Sequence, residues 1–205
     1  MKTLIVTIAG IIAIFILFQS FTLMSVIKTE TQKYTVVFKE KDLEIRFYPS
    51  ATIASLRSGA KTYSEMANPG FRALAGYIFG GNEANTKISM TSPVHMDVND
   101  STSSMSFVMP SSYNESNLPK PNDPRIIISK TSDEYVASLR FGGFASDRNL
   151  KFYSDKLQKL LKEKGISTYG HYRYLGYNPP FQLFGRRNEI IVSVRWNATQ
   201  EIKHQ

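Results

Sequence analysis

With 205 residues, 20% of them charged and 12% aromatic, the chain is long enough for one packed domain and a short appendage, and disorder throughout is excluded. Zero Cys excludes disulfides, thiolate metal centres, iron–sulfur clusters and a cysteine nucleophile. The formal net charge of +8 suits anionic ligands or anionic lipid headgroups, but no basic run or nucleic-acid motif accompanies it, so no nucleic-acid partner is expected.

The chain opens on 25 residues, 3–27, that carry no charge between Lys2 and Lys28. As a helix rising about 1.5 Å per residue they span roughly 37 Å, against the ~30 Å hydrocarbon core of a bilayer. A basic start and an apolar run also describe a cleaved secretory signal. However, Gln19-Ser20-Phe21-Thr22-Leu23-Met24 offers no small-x-small cleavage site. The expectation is a signal anchor over residues 1–27, crossing the membrane once through residues 4–27. Lys28 and Lys33 nearly balance Lys2 and the amino terminus; an N-inside anchor is expected, with the soluble domain on the extracytoplasmic side. Residues 28–33 read as a connector, 34–196 as the domain and 197–205 as a C-terminal tail.

Residues 34–38, 43–47 and 52–57 are predicted strands; the second alternates Leu43, Ile45 and Phe47 and stops at Pro49. A helix comes next, with Asn68 as N-cap and Pro69 in the first turn. Phe71, Leu74, Ala75 and Ile78 recur at helical spacing, and Gly80-Gly81 closes it. Residues 87–90 and 105–109 read as strands, and residues 111–124, rich in Pro, Ser and Asn, as a loop joining two halves. A second helix is predicted over 146–164, with Leu150, Tyr153, Leu157, Leu160 and Leu161 on one face and Gly165 beyond its end. Strands follow at 169–174 and 190–194, separated by the Pro179-Pro180 turn.

One segment recurs. Ala54-Ser55-Leu56-Arg57-Ser58-Gly59 returns as Ala137-Ser138-Leu139-Arg140-Phe141-Gly142, and each copy leads into a helix, a strand, a proline turn and another strand. The order β-α-β-β therefore appears twice. It predicts an α+β domain in which a pseudo-two-fold duplicated unit forms an antiparallel, curved or barrel-like sheet with two helices packed outside, preceded by one transmembrane helix.

Motifs for catalysis are missing. The chain has no G-x-S-x-G elbow, no G-x-x-x-x-G-K-[ST] phosphate loop and no G-x-G-x-x-G fingerprint, so a non-enzymatic protein is expected. What stands out is local: Lys87-Ile88-Ser89-Met90-Thr91-Ser92-Pro93-Val94, Gly176-Tyr177-Asn178-Pro179-Pro180-Phe181 and Gly185-Arg186-Arg187-Asn188-Glu189. Tyr48-Pro49, Phe107-Val108-Met109-Pro110 and Phe141-Gly142-Gly143-Phe144 keep the same order. From about Leu43 to Trp196 the sequence resembles the SOUL heme-binding family.

The resemblance implies a pseudo-symmetric, distorted antiparallel β-barrel flanked by two helices, a non-catalytic module for non-covalent binding of heme or a related tetrapyrrole; with the N-terminal anchor, the expectation is a membrane-anchored protein for storage, transfer or buffering. It places the ligand in a cleft between residues 71–79 of the first domain helix and residues 177–185 of the proline loop. A porphyrin needs a flat apolar face, and its propionates need cations at the rim. Leu74, Ile78, Phe79, Tyr177, Pro180 and Phe181 supply the first, and Arg72 and Arg186 the second, with Arg187 beside them. Some members of the family carry an axial His in the strand before the Tyr-Pro pair. Here that place is Phe47, which leaves His95, Tyr177 or a Met as the candidate iron ligand, His95 being the first choice. The alternative reading is a binding module for another amphipathic small molecule or lipid, similar in fold to the effector-binding domains of transcription regulators.

Overall fold

The uncharged N-terminal run folds as one helix, α1 (Lys2–Lys28), in a computed structural model that describes residues 2–99 and 102–197. Consecutive side chains Leu4, Ile5 and Val6 are all exposed, so the helix is apolar on every side rather than along one stripe. Over Lys2–Thr22 it is long and apolar enough to cross a membrane. The tail expected at 197–205 lies, apart from Asn197, outside the described residues.

Among the described residues, eleven strands and two further helices follow. In chain order they are β1 (Glu30–Thr31), β2 (Thr35–Glu40), β3 (Leu43–Tyr48), β4 (Thr52–Ser58), α2 (Tyr63–Ile78), β5 (Thr91–Ser92), β6 (Val94–Asp97) and β7 (Ser103–Val108). Then come β8 (Ile126–Lys130), β9 (Glu134–Phe141), α3 (Asp147–Glu163), β10 (Thr168–Gly176) and β11 (Asn188–Val194). β1 pairs with β5 in parallel; the other nine strands form one antiparallel sheet in the order β2-β3-β9-β11-β10-β6-β7-β4-β8. The chain is an α+β protein.

Strand alternation sorts this sheet into two faces. Leu43, Ile45, Met105, Phe107, Ala137, Leu139, Ile190 and Val192 share the main core with Met66, Leu74, Tyr77 and Ile78 of α2 and Leu157 and Leu161 of α3. The alternate positions Arg46, Tyr48, His95, Glu134, Arg173, Tyr177 and Glu189 turn to the other face, around a small cluster of Val136, Leu175 and Ile191. The helices cover one face, and the polar residues line the other.

α3 matches its predicted span almost end to end, with Ser146 as N-cap and Gly165 at φ 65° just beyond Lys164. α2 begins six residues earlier than the Asn68 cap predicts. Thr62 is the N-cap and accepts the Glu65 N–H, while Glu65 takes the Lys61 N–H, so the first turn is capped ahead of Pro69, which lies inside the helix. The strand expected at 87–90 does not form. Lys87 makes a single bridge to Phe79, and the Ile88 N–H goes to the Ile78 carbonyl, tying the segment to the end of α2. The strand of this region is β6, past Pro93. β8 was not anticipated either; Ile126-Ile127-Ile128 pairs with β4 at the end of the sheet order.

Candidate functional site

The starts of the two domain helices are tied together. Asp147, the first residue of α3, accepts the Tyr63 N–H at 2.5 Å and the Ser64 hydroxyl at 2.7 Å. Partial burial works to raise this carboxyl, but the hydrogen bonds from Ser64 and the backbone hold it below the usual carboxylate range. The Tyr63 ring stands edge-on to Tyr174 at 5.4 Å. The Tyr174 hydroxyl donates to Asn188 Oδ1 at 2.7 Å, and Asn188 donates on to the Gly143 carbonyl. Burial pushes both phenols above the ordinary tyrosine range, so they stay protonated.

Arg186 reaches this corner from the proline loop. Its Nη1 donates to the carbonyls of Pro179 (2.8 Å) and Gln182 (2.7 Å), and its guanidinium lies 4.5 Å over the Phe144 ring. Its Nε–H is buried with no hydrogen-bond partner among the described residues. Around it Phe144 is 51% exposed, and Pro180, Phe181 and Phe184 of the loop are exposed too. The corner therefore presents aromatic surface around one guanidinium.

The opposite face is different in kind. Glu189, fully buried, receives Arg46 Nη1 at 2.6 Å, Arg187 Nη2 at 2.7 Å and the Tyr177 hydroxyl at 2.8 Å. Alongside, Glu134 receives Arg173 and Ser193. A cavity of about 160 Å³ opens there against His95, Asp97, Ser104, Ser106, Glu134 and Arg173. A second, of about 260 Å³, lies beside the connector at Glu30–Lys33, Pro110 and Lys130. His95 Nε2 donates to Gln32 of the connector at 2.7 Å. Burial first, and then the Arg173 cation, push the His95 ring down to about 3.

That shift fixes a sign. The folded value lies below the unfolded one, so this contribution to stability is whole above about pH 6.5 and is lost as pH falls toward the folded value. Between about pH 7 and pH 5 the unfolded chain takes up a proton that the folded chain refuses, at a cost of about 2 kcal/mol. Thermal melts at the two pH values should differ by roughly 4–8 °C. His95→Gln should remove most of that difference; an unchanged difference in the variant would contradict the assignment.

The predicted site residues separate. Pro180, Phe181 and Arg186 share the proline loop, and Arg186 meets the first turn of α2 through Tyr63 and Tyr174. Arg72 and Phe79 are exposed farther along α2; at about 1.5 Å per residue Phe79 sits roughly 24 Å along the axis from Tyr63. Leu74 and Ile78 are 0% and 1% exposed and belong to the core beneath the helix, because α2 spends that stripe on β4 and β7. Tyr177 and His95 face away, engaged with Glu189 and Gln32. His95 also lies in β6 rather than in a loop. The residues that join Arg186 instead, Tyr63, Phe144 and Tyr174, were missed. The Thr62-x-x-Glu65 capping box would have placed the helix start, and with it Tyr63.

Residues 29–193 match the SOUL heme-binding protein family. The chain belongs to this family. Alongside the SOUL match, it is 30% identical over 155 residues to Heme-binding protein 2 of Mus musculus, covering 72% of this chain and 75% of the relative. Identity to Heme-binding protein 1 of Xenopus laevis is 28% over 166 residues, covering 78% and 84%. Among solved structures, the EcmrR C-terminal domain superposes with a TM-score of 0.54 at 13% identity, over 80% of this chain and 99% of that one. A hydrolase from Listeria innocua gives 0.53 at 8% identity, over 78% and 94%. At such identities the likeness is one of fold. The ring of Phe47 packs 5.1 Å from Tyr135 on the helix-covered face.

Proposed function

We propose that the chain is a membrane-anchored, non-catalytic protein that binds heme or a related tetrapyrrole without a covalent bond, for storage, transfer or buffering. The observation that carries this reading within the SOUL family is the Arg186 corner. It combines exposed Phe144, Phe181 and Phe184 with the half-buried Arg186 guanidinium, a cation suited to a propionate. The cavity on the other face, at about 160 Å³, is too small for a porphyrin, since sites for ligands of that size run to roughly 300 Å³ and above. Bound heme would supply a redox-active iron. This chain would hold the macrocycle by ring contact and propionate pairing, because His95 and Tyr177 are engaged on the far face.

The anchor is α1, with the domain on the extracytoplasmic side. The domain itself reads as a duplicated β-α-β-β unit. β4, α2, β6 and β7 make one half, β9, α3, β10 and β11 the other, and the sheet order runs β9-β11-β10 then β6-β7-β4, mirrored about the β10–β6 pair. The repeated Ala-Ser-Leu-Arg segments sit on β4 and β9, the equivalent strands. Tyr48 and Ile53, from strands near opposite ends of the order, line one cavity, which supports a barrel-like curl.

Hemin titrated into the full chain in nanodiscs should give a saturable Soret change at one site per chain, beyond that of empty nanodiscs. Arg186→Ala should weaken binding about tenfold, the scale of one charge-assisted hydrogen bond. His95→Ala should leave the Soret band unchanged. No saturable change above empty nanodiscs would overturn the proposal. The polar cavity at His95 and Arg173 supports a second reading, a site for another small amphipathic molecule. Stronger thermal stabilisation by non-porphyrin compounds than by hemin would favour it.

A further inference from the structure

We infer that the proline loop, residues 179–184, docks into the headgroup–acyl boundary of the bilayer that α1 crosses, so that the domain touches the membrane at a second place. The inference rests on α1 being a membrane anchor, as proposed above. The first observation is contact. Gln19 of α1, 8% exposed, donates through Nε2 to the Phe181 carbonyl at 3.3 Å and accepts the Leu183 N–H at Oε1 at 3.2 Å. The Phe18 and Phe181 rings meet at 5.8 Å. The loop is thus fixed to a known level of the helix.

That level can be placed. Counting from Thr3, about 20 residues at ~1.5 Å each cover a ~30 Å hydrocarbon core, which puts the far boundary near residue 22. Gln19 then sits roughly 4–5 Å inside it. Whatever Gln19 binds lies at the edge of the acyl chains.

The loop is built for such a place. It carries no charge from Asn178 to Gly185, and Phe181, Leu183 and Phe184 are 52%, 43% and 65% exposed. Backbone in lipid must have its polar groups satisfied within the protein. Four carbonyls of this loop are. Those of Pro179 and Gln182 take Arg186, that of Phe181 takes Gln19, and that of Phe184 takes the Gln182 side chain at 2.8 Å. Gln182 itself is 1% exposed and is held by Asn178 at 3.0 Å. Apolar side chains point out while these four carbonyls and the Gln182 side chain are consumed inside, as in membrane-surface segments.

The chain has no Cys, so single cysteines can be placed and labelled with a fluorophore. The full chain carrying Leu183→Cys, Phe184→Cys, Ile8→Cys or Lys159→Cys is reconstituted in vesicles of phosphatidylcholine and phosphatidylglycerol. Lipids bearing a nitroxide near the carbonyl end or near the methyl end of the acyl chain serve as quenchers. Labels at 183 and 184 should lose more than half of their emission to the shallow nitroxide, the label at 8 should be quenched by the deep one, and the label at 159 by neither. Leu183 and Phe184 are both exposed, so either variant can stand in for the other. If 8 is quenched while 183 and 184 behave like 159, the docking inference is overturned and the anchor stands. If 8 is unquenched, or intact mass shows residues 1–27 removed, the anchor reading fails and the inference falls with it.

Discussion

Glu189→Ala should destabilise the folded chain by about 3–5 kcal/mol, the cost of removing one partner from a buried ion pair. The carboxylate is fully buried and is the shared acceptor of Arg46, Arg187 and Tyr177. Burial alone would raise its carboxyl. Hydrogen bonds from Arg46, and the charges of Arg46 and Arg187, more than offset that and hold it below the usual range. Without it Arg46, 3% exposed, keeps Glu44, the Tyr48 hydroxyl and the face of the Tyr34 ring, and a guanidinium stays out of water with half its charge-assisted pairing gone. Thermal melts should fall by roughly 6–20 °C at 2–4 °C per kcal/mol. Glu189→Gln keeps the shape and loses the charge, so it should recover only part of the loss. By contrast, removing the exposed Lys151–Asp155 pair on α3 should change stability by less than about 0.5 kcal/mol. A loss below about 1 kcal/mol for Glu189→Ala would show that water or rearranged side chains compensate the network.

The fold was legible where local chemistry and tertiary packing agree. α3 has a Ser cap, a five-residue apolar stripe and a closing glycine, and it forms where those signals put it. α1 needs only its uninterrupted apolar run. The start of α2 was misread because Asn68-Pro69 imitates a helix entry, while the real entry depends partly on Asp147, a residue 84 positions away that caps Tyr63. Residues 87–90 have strand-like composition, yet Ile88 gives its N–H to α2. No periodicity within one segment reveals a partner in another. The same limit applies to the site. Arg186 and Phe181 can be named as candidates from one distinctive loop, whereas Tyr63, Phe144 and Tyr174, which stand around Arg186, come from separate elements that only the fold brings together. The buried Arg46–Glu189 pair spans 143 residues and left no trace in spacing.

Leu74 and Arg186 separate the two roles that the resemblance merged. Leu74 is 0% exposed in the core that α2 shares with β4 and β7, where Gly70 lets the helix approach so closely that an added Cβ would come within 3.2 Å of the Met105 side chain. Leu74→Ala should therefore cost about 2–5 kcal/mol, the transfer loss of a buried side chain plus the hole left behind. Hemin affinity, measured well below the lowered melting point, should stay within about twofold of the parent, since a residue with no surface makes no ligand contact and a core cavity relaxes mostly in place. Arg186→Ala should show the reverse pattern, a loss of affinity larger than its loss of stability, because its carbonyl partners lie in a loop at the surface. If Leu74→Ala weakened hemin binding as strongly as Arg186→Ala does, the ligand would have to enter beneath α2, and the cleft would lie along the helix rather than at its first turn.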